Sequence, residues 1–269
     1  MVTILGYFRI VTDMSAQTIL FLNQKGGVGK TTSAVNLGSA LAQKGKKVLL
    51  IDLDSQGNLT SATSIDGRKP GLYEVIAGQC SAAEAIQQTP IRNLYAIASN
   101  INMAGLNIEL VGEDEREFFL KRVLVGLEED WDYILGDCPP SLGLVTVNAM
   151  VWAKHVIIPM QCEYFAMEGL NLLMRTVGNM KKSLNPDLEV LGILFTMYSK
   201  RTKLANEVVE DISSFFNTLV FKTMIPRNVR IAEAPSHGLP INVYDNASSG
   251  AKAYKALAEE VIERVARNT

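Results

Sequence analysis

The chain has 269 residues, 26 basic and 28 acidic side chains for a formal charge of −2, and 48% hydrophobic residues. That is enough apolar material to cover both faces of a sheet and too much for a disordered chain. A balance so close to zero excludes a protein that coats DNA by bulk charge, and leaves room for a local basic patch.

The chain opens MVTILGYFRIVTDM, with no leading Lys or Arg and an apolar run too short for a signal peptide. Residues 1–15 read as a short N-terminal extension, with Met14 as an alternative start. Thr18–Leu22 follows as a buried strand, Thr32–Gln43 as a helix stopped at Gly45, and Val48–Asp52 as a second strand. The next helix is expected over Glu113–Glu128 and the next strand over Tyr133–Asp137. The apolar stretch Leu142–Met160 is broken by Asn148, Lys154, His155 and Pro159, so it is not a membrane span. Within it His155–Pro159 reads as a strand; then come a helix over Glu168–Ser183 and a strand over Val190–Phe195. A helix over Leu204–Asn217, a strand over Phe221–Ile225 and a helix over Ala251–Arg267 complete the chain. The strands are apolar without alternation, as strands buried on both faces are. Strand and helix alternate, so the fold class is α/β, a mostly parallel twisted sheet flanked by helices in a single domain.

Cys80, Cys138 and Cys162 are widely spaced, which gives neither a disulfide framework nor a CxxC metal pair and suits a reducing cytoplasm. His155 and His237 are the sole histidines, too few for a histidine metal cluster; they read as a core or strand-edge residue and a loop residue. Charge is unevenly spread. Residues 105–137 carry ten acids against three bases, and residues 181–230 eight bases against five acids. Taken alone, these are ordinary solvated faces.

The strongest chemical signal is Lys25-Gly-Gly-Val-Gly-Lys-Thr-Thr32, between a strand and a helix. Gly26, Gly27, Val28 and Gly29 let backbone N–H groups close around an anion, and the helix N-terminus beyond adds positive potential. Lys30 is placed to reach the outer phosphates, the Thr31 hydroxyl to bind Mg²⁺, and Thr32 completes the loop. The usual pattern wants Gly at position 24; Gln24 stands there, and an extra lysine, Lys25, opens the loop. Pointed inward, Lys25 competes with Lys30 for space; pointed outward, it faces a nucleotide in another subunit. Asp52 and Asp54 end one strand and Asp137 another, where carboxylates order water around Mg²⁺ or orient an attacking water.

KGGVGKTT resembles the deviant Walker A motif. IDLDSQGN (51–58), DCPPSLG (137–143), PMQCEYFAMEGL (159–170), IPRNVRIAEAPSHG (225–238) and SSGAKAYKALAEEV (248–261) resemble the corresponding segments of the ParA/Soj family of DNA-partitioning ATPases. The resemblance implies a P-loop NTPase fold over residues 16–269, with ATP and Mg²⁺ as cofactors. It makes Asp54 the carboxylate needed for hydrolysis, Asp137 the carboxylate that acts on Mg²⁺ through water, and Lys25 a contact to the ATP phosphates of the opposite subunit. Pro226, Arg227 and Asn228 correspond to the loop around the adenine base. Arg201 and Arg230, with Lys200 and Lys203, correspond to contacts with DNA phosphates. The implied partners are a second copy when ATP is bound, nonspecific DNA and a ParB-type protein that stimulates hydrolysis; the implied location is cytoplasmic and nucleoid-associated, without a membrane. Two departures stand out: Gly136 where the family has an apolar β-branched residue, which would loosen that strand, and Ser55 where it has Pro. The chain begins almost at its ATPase core, so operator-specific repression through an N-terminal helix-turn-helix domain is not expected. Two other readings share the loop. A MinD-like membrane-positioning ATPase needs a C-terminal amphipathic anchor, whereas the tail KAYKALAEEVIERVARNT reads as a domain helix. A metal-cluster carrier or nitrogenase-type reductase needs paired cysteines that this sequence lacks.

Overall fold

The computed structural model describes residues 16–268, so the expected extension at residues 1–15 lies outside the described residues. Five strands form where the apolar runs stand: β1 (Gln17–Phe21), β2 (Val48–Asp52), and, after two short strands described below, β5 (Tyr133–Asp137), β6 (His155–Gln161) and β7 (Glu189–Thr196). Their lack of alternation has a direct cause. Ile19 and Phe21 enter one core cluster and Leu20 the other; Val48 and Leu50 likewise face away from Leu49 and Ile51. Both faces are dry, so apolar residues follow one another along the middle of these strands.

One face is covered by α1 (Lys30–Gln43) and the C-terminal helix α12 (Ser249–Asn268), through Leu37 and Leu41 against Tyr254, Leu257 and Val261. The opposite face packs against α7 (Leu144–Trp152) and α8 (Ala166–Ser183), with the short helices α3 (Leu72–Ile76) and α6 (Phe119–Val123). The remaining short helices are α2 (Asn58–Ala62), α4 (Ala82–Ala85), α5 (Leu106–Glu109), α10 (Val229–Glu233) and α11 (Ile241–Tyr244), with α9 (Lys203–Phe216) longer. With two short strands, β3 (Ile86–Gln88) and β4 (Leu94–Ile97), the sheet has seven strands in the order β3-β4-β2-β5-β1-β6-β7. All pairings are parallel except β3, which runs antiparallel to β4 at one edge.

Three expectations need correction. Glu113–Glu128 is not one helix: it breaks into a 3-10 turn at Arg116–Phe118, α6 and a second 3-10 turn at Leu127–Asp130. Glu115 (φ 52°) and Gly126 (φ 78°) adopt left-handed backbone, which no helix continues through. Within Leu142–Met160 the expected strand at His155–Pro159 is present as β6, and the residues before it, for which no element was expected, form α7; both lie in the core. Phe221–Ile225 is not a continuous strand either. Phe221 N–H donates to Ile193 O at 2.9 Å and Ile225 N–H to Phe195 O at 2.9 Å, along the β7 edge. Between them the N–H groups of Lys222 and Thr223 turn to the Glu260 carboxylate of α12, at 2.9 and 3.0 Å. A side chain has taken the Thr223 donor that a continuous strand would give to β7.

Gly136 does not loosen β5, which is paired on both sides, to β1 and β2. A Cβ there would lie 2.6 Å from Leu20 Cδ2 and 3.1 Å from Leu53 Cδ1, so the bare backbone makes room for two leucines. Gly136→Val is expected to overpack the core and cost about 1–3 kcal/mol in urea unfolding. Combined with Leu20→Ala it should lose less than the two single changes added together, because both act on one contact.

Candidate functional site: a phosphate loop beside two carboxylate strands

Parallel register sets the site. Phe21 of β1 pairs with Asp137 of β5, and Asp52 of β2 pairs with the same Asp137. The loop after β1 therefore leaves the sheet beside both carboxylates, at the carboxyl ends of the strands where ligands gather in such sheets.

Gly27 (φ 73°) and Gly29 (φ 87°) hold left-handed backbone within the loop. The loop carbonyls are tied back. Gly27 O accepts from Gln161 Nε2 at 2.8 Å, Val28 O from Thr196 Oγ1 at 2.8 Å, and Lys25 O from Lys30 Nζ at 3.2 Å. Asn23 anchors the entry, accepting from Lys25 N–H at 3.0 Å and donating to Pro159 O at 2.8 Å. With the carbonyls turned away, the N–H groups and the uncapped N-terminus of α1 are left to an anion. Gly26, Gly27, Gly29, Lys30, Thr31 and Thr32 line a cavity of about 630 Å³, with Asp54 on its wall. Val28 is buried behind the loop.

The charged groups beneath the loop differ in their partners. Lys30 is buried, and that burial lowers its pKa against the opposing pull of Asp137 and Asp54. Asp52 is fully buried and committed. Its Oδ2 accepts from Thr60 N–H at 2.9 Å and Thr60 Oγ1 at 2.7 Å, and its Oδ1 from Asp54 N–H at 3.2 Å. Burial still pushes its carboxyl up to about 6. Thr60 Oγ1 also accepts from Ser99 N–H at 2.9 Å, so Asp52 ties α2 to the end of β4. Of the two carboxylates at the end of β2, Asp54 is therefore the one that faces the cavity. Asp137 is buried with neither carboxylate oxygen hydrogen-bonded among the described residues. Burial and then the neighbouring Asp52 charge raise its pKa well above the ordinary value, opposed by nearby Thr31 and Lys30. A buried carboxylate without donors, next to a threonine hydroxyl and a phosphate loop, fits a hydrated Mg²⁺. Cys138 beside it is buried, its thiol pushed up by that burial.

Lys25 is not part of the cavity wall. Its side chain is 56% exposed and pairs with Glu163, in the loop between β6 and α8. Of the two directions open to it, the structure takes the outward one. A second cavity of about 240 Å³ adjoins the first, sharing Gly29, Thr32, Met197 and Pro235. Pro226, Arg227 and Asn228 line it together with Ile231 and Tyr254. The Asn228 side chain also holds structure, accepting from Arg230 N–H at 2.8 Å and donating to Ser249 Oγ at 2.8 Å.

The basic residues come from neighbouring segments. Tyr198 N–H donates to Ile225 O at 2.9 Å and Arg227 N–H to Tyr198 O at 3.1 Å, which joins the turn holding Lys200 and Arg201 to the segment leading into α10. Lys200 and Arg201 are exposed. Lys203 pairs with Glu207 at 3.5 Å, and Arg230 with Glu233 at 3.0 Å and Asp245 at 3.7 Å. Sequence reasoning assigned no role to Gln161, Glu163, Thr196 or Thr60. Only PMQCEYFAMEGL hinted at the first two; the threonines carry no local signal.

Residues 16–190 match the family model described as an AAA domain. The chain is 50% identical to the chromosome-partitioning ATPase Soj of Treponema pallidum, over 92% of this chain and 98% of that one. It is 49% identical to the sporulation initiation inhibitor protein Soj of Bacillus subtilis, over 90% and 97%. A solved structure from Mycobacterium smegmatis, described as cobyrinic acid a,c-diamide synthase with bound ADP and magnesium, superposes with a TM-score of 0.82 at 34% identity, covering 94% of this chain and 97% of that one. The phosphate loop, the carboxylates at the strand ends and this identity over nearly the whole of both chains place the protein in the ParA/Soj family of partitioning ATPases.

Proposed function

We propose that the chain is an ATP-driven DNA-partitioning switch. ATP and Mg²⁺ occupy the loop cavity, two copies close face to face over two nucleotides, and the dimer holds DNA without sequence preference until a ParB-type partner stimulates hydrolysis. The observation that carries this reading is the division of labour between the two lysines. Lys30 lies buried under the loop, while Lys25 stands outside the cavity on an exposed face. A cation carried on the loop but directed away from its own phosphates suits a phosphate on a facing copy, where it stabilises transition-state charge in trans. Mg²⁺ supplies charge neutralisation at the phosphates. When bound, it would be held by Thr31 and by Asp137, the latter through water, and Asp54 would orient the attacking water. Arg201 and Arg230, with Lys200 and Lys203, contact DNA phosphates. Pro226, Arg227 and Asn228 border the adenine.

The MinD-like alternative has less support. Tyr254, Leu257, Ala258, Val261 and Val265 of α12 are buried, so the apolar face of this helix serves the domain core. No helix of the described residues is long and apolar enough to cross a membrane.

Three variants test the assignments. Lys25→Ala should retain nucleotide binding and lose partner-stimulated hydrolysis by about 100-fold or more; full turnover would show that the lysine does not act in trans. Asp54→Ala should accumulate an ATP-bound dimer on size-exclusion chromatography, and a monomer in ATP would remove its role in hydrolysis. Arg201→Glu with Arg230→Glu should abolish co-sedimentation with DNA while the ATP dimer still forms. In the same assay the unaltered chain should pellet with DNA in ATP and not with liposomes; the reverse pattern would favour the membrane reading.

A further inference from the structure

α10 is a five-residue helix with two different surroundings. On its inner side Ile231 and Ala232 line the slot assigned to the base, and the following Pro235, Ser236 and Leu239 wall the phosphate cavity. On its outer side the Arg230 guanidinium meets two carboxylates, Glu233 Oε2 at 3.0 Å from Nη1 and Asp245 Oδ2 at 3.7 Å from Nε. Tyr244 at the end of α11 donates its hydroxyl to the same Glu233 oxygen at 3.3 Å, and the His237 ring stacks on Tyr244 with centroids 5.0 Å apart. One cation is set against two anions. A DNA phosphate approaching Arg230 in this arrangement meets a net negative charge.

The two carboxylates belong to different elements. Glu233 rides on α10 with Arg230, whereas Asp245 follows α11 and leads into α12, with Ser248 N–H donating to its carbonyl at 3.2 Å. α12 is fixed by its buried face. A displacement of α10 against α11 and α12 therefore changes the Asp245 contact and the Tyr244 bond to Glu233 together. The inner face of that helix is where a nucleotide would press. Arg230, Glu233 and Asp245 side chains are 56%, 41% and 34% exposed, and ion pairs this open to water separate readily.

We propose that Glu233 and Asp245 are the residues that make DNA affinity depend on nucleotide: held against Arg230 they cancel its charge, and a nucleotide in the slot on the inner face of α10 releases it. The inference rests on the reading of Arg230 as a DNA contact. The test is fluorescence anisotropy with a labelled duplex of random sequence, without nucleotide, with ADP and with ATP. Glu233→Gln with Asp245→Asn is expected to bind DNA about tenfold more tightly than the unaltered chain in the absence of nucleotide, and to gain correspondingly less from ATP. Its salt dependence should steepen by about one unit of slope per chain, the mark of one added phosphate contact. Adding Arg230→Ala should return both to the unaltered values. A gain that survives Arg230→Ala reflects bulk charge and overturns the gate, as does no gain at all. An unaltered chain that fails to bind DNA in ATP overturns the DNA reading and the gate together; normal ATP-dependent binding with no effect of the two substitutions overturns the gate alone.

Discussion

A loop can offer its N–H groups to a phosphate only if its carbonyls have donors somewhere else. Here those donors come from three places: Gln161 at the end of β6, Thr196 at the end of β7, and Lys30 within the loop. The order β5-β1-β6-β7 makes this possible, since it sets both donating strands on one side of β1 and the carboxylate strands on the other. The same segment of β6 reaches the loop again, with Pro159 O accepting from Asn23 and Glu163 pairing with Lys25. The loop is thus not a local motif resting on a generic sheet. Its conformation depends on residues more than a hundred positions away, and a change in it would be felt along α8, which begins at Ala166 with only Tyr164 and Phe165 between it and Glu163.

Beneath the loop the charges are out of balance. Asp52 and Asp137 are both buried and Lys30 lies close to the second of them. An acid whose pKa in the fold lies above its ordinary value binds protons more readily folded than unfolded. Its ionisation therefore costs stability as pH rises from the ordinary 3.8 toward the value of about 6 given for Asp52. Asp52 offsets this with three donors, whereas Asp137 has none among the described residues. The chain carries an electrostatic penalty at the point where the proposed function places a divalent cation, and a cation bound there would stabilise the fold by relieving it. The difference in donors also separates the two carboxylates: Asp52 holds the backbone at Thr60 and Asp54, and Asp137 holds none among the described residues.

The parts of the fold legible in the sequence were those set by burial on both faces. β1, β2, β5, β6 and β7 stand where the unbroken apolar runs are. β3 and β4 escaped because they are three and four residues long and β3 carries two glutamines at an edge. The segment 113–128 looks helical by its apolar spacing, yet Glu115 and Gly126 break it through their backbone conformation. The segment 221–225 looks like a strand, and its Thr223 donor is drawn off by Glu260, almost forty residues further along. At the site, the loop and its extra lysine were legible because glycine spacing and an extra charge are local features. The difference between Asp52 and Asp54 came only through the family resemblance, because its physical cause is Thr60 folding back from α2.

The charge of −2 takes on a different meaning at the level of individual groups. Lys203 stands by Glu207, and Arg230 lies between Glu233 and Asp245. Lys200 and Arg201 are exposed on the adjoining turn. A surface in which some cations are matched and others are not has weak affinity for a polyanion as a single copy. Affinity for DNA rises steeply with the number of phosphates neutralised, and two copies held together contribute their contacts to one binding event. A surface of this kind gains most from any event that pairs copies or uncovers a cation. A strongly basic surface would stay bound in either state and could not be released by hydrolysis. On the proposed reading near-neutrality is a requirement of reversible DNA binding, and the carboxylates beside Arg230 are where the proposed gate would meet it.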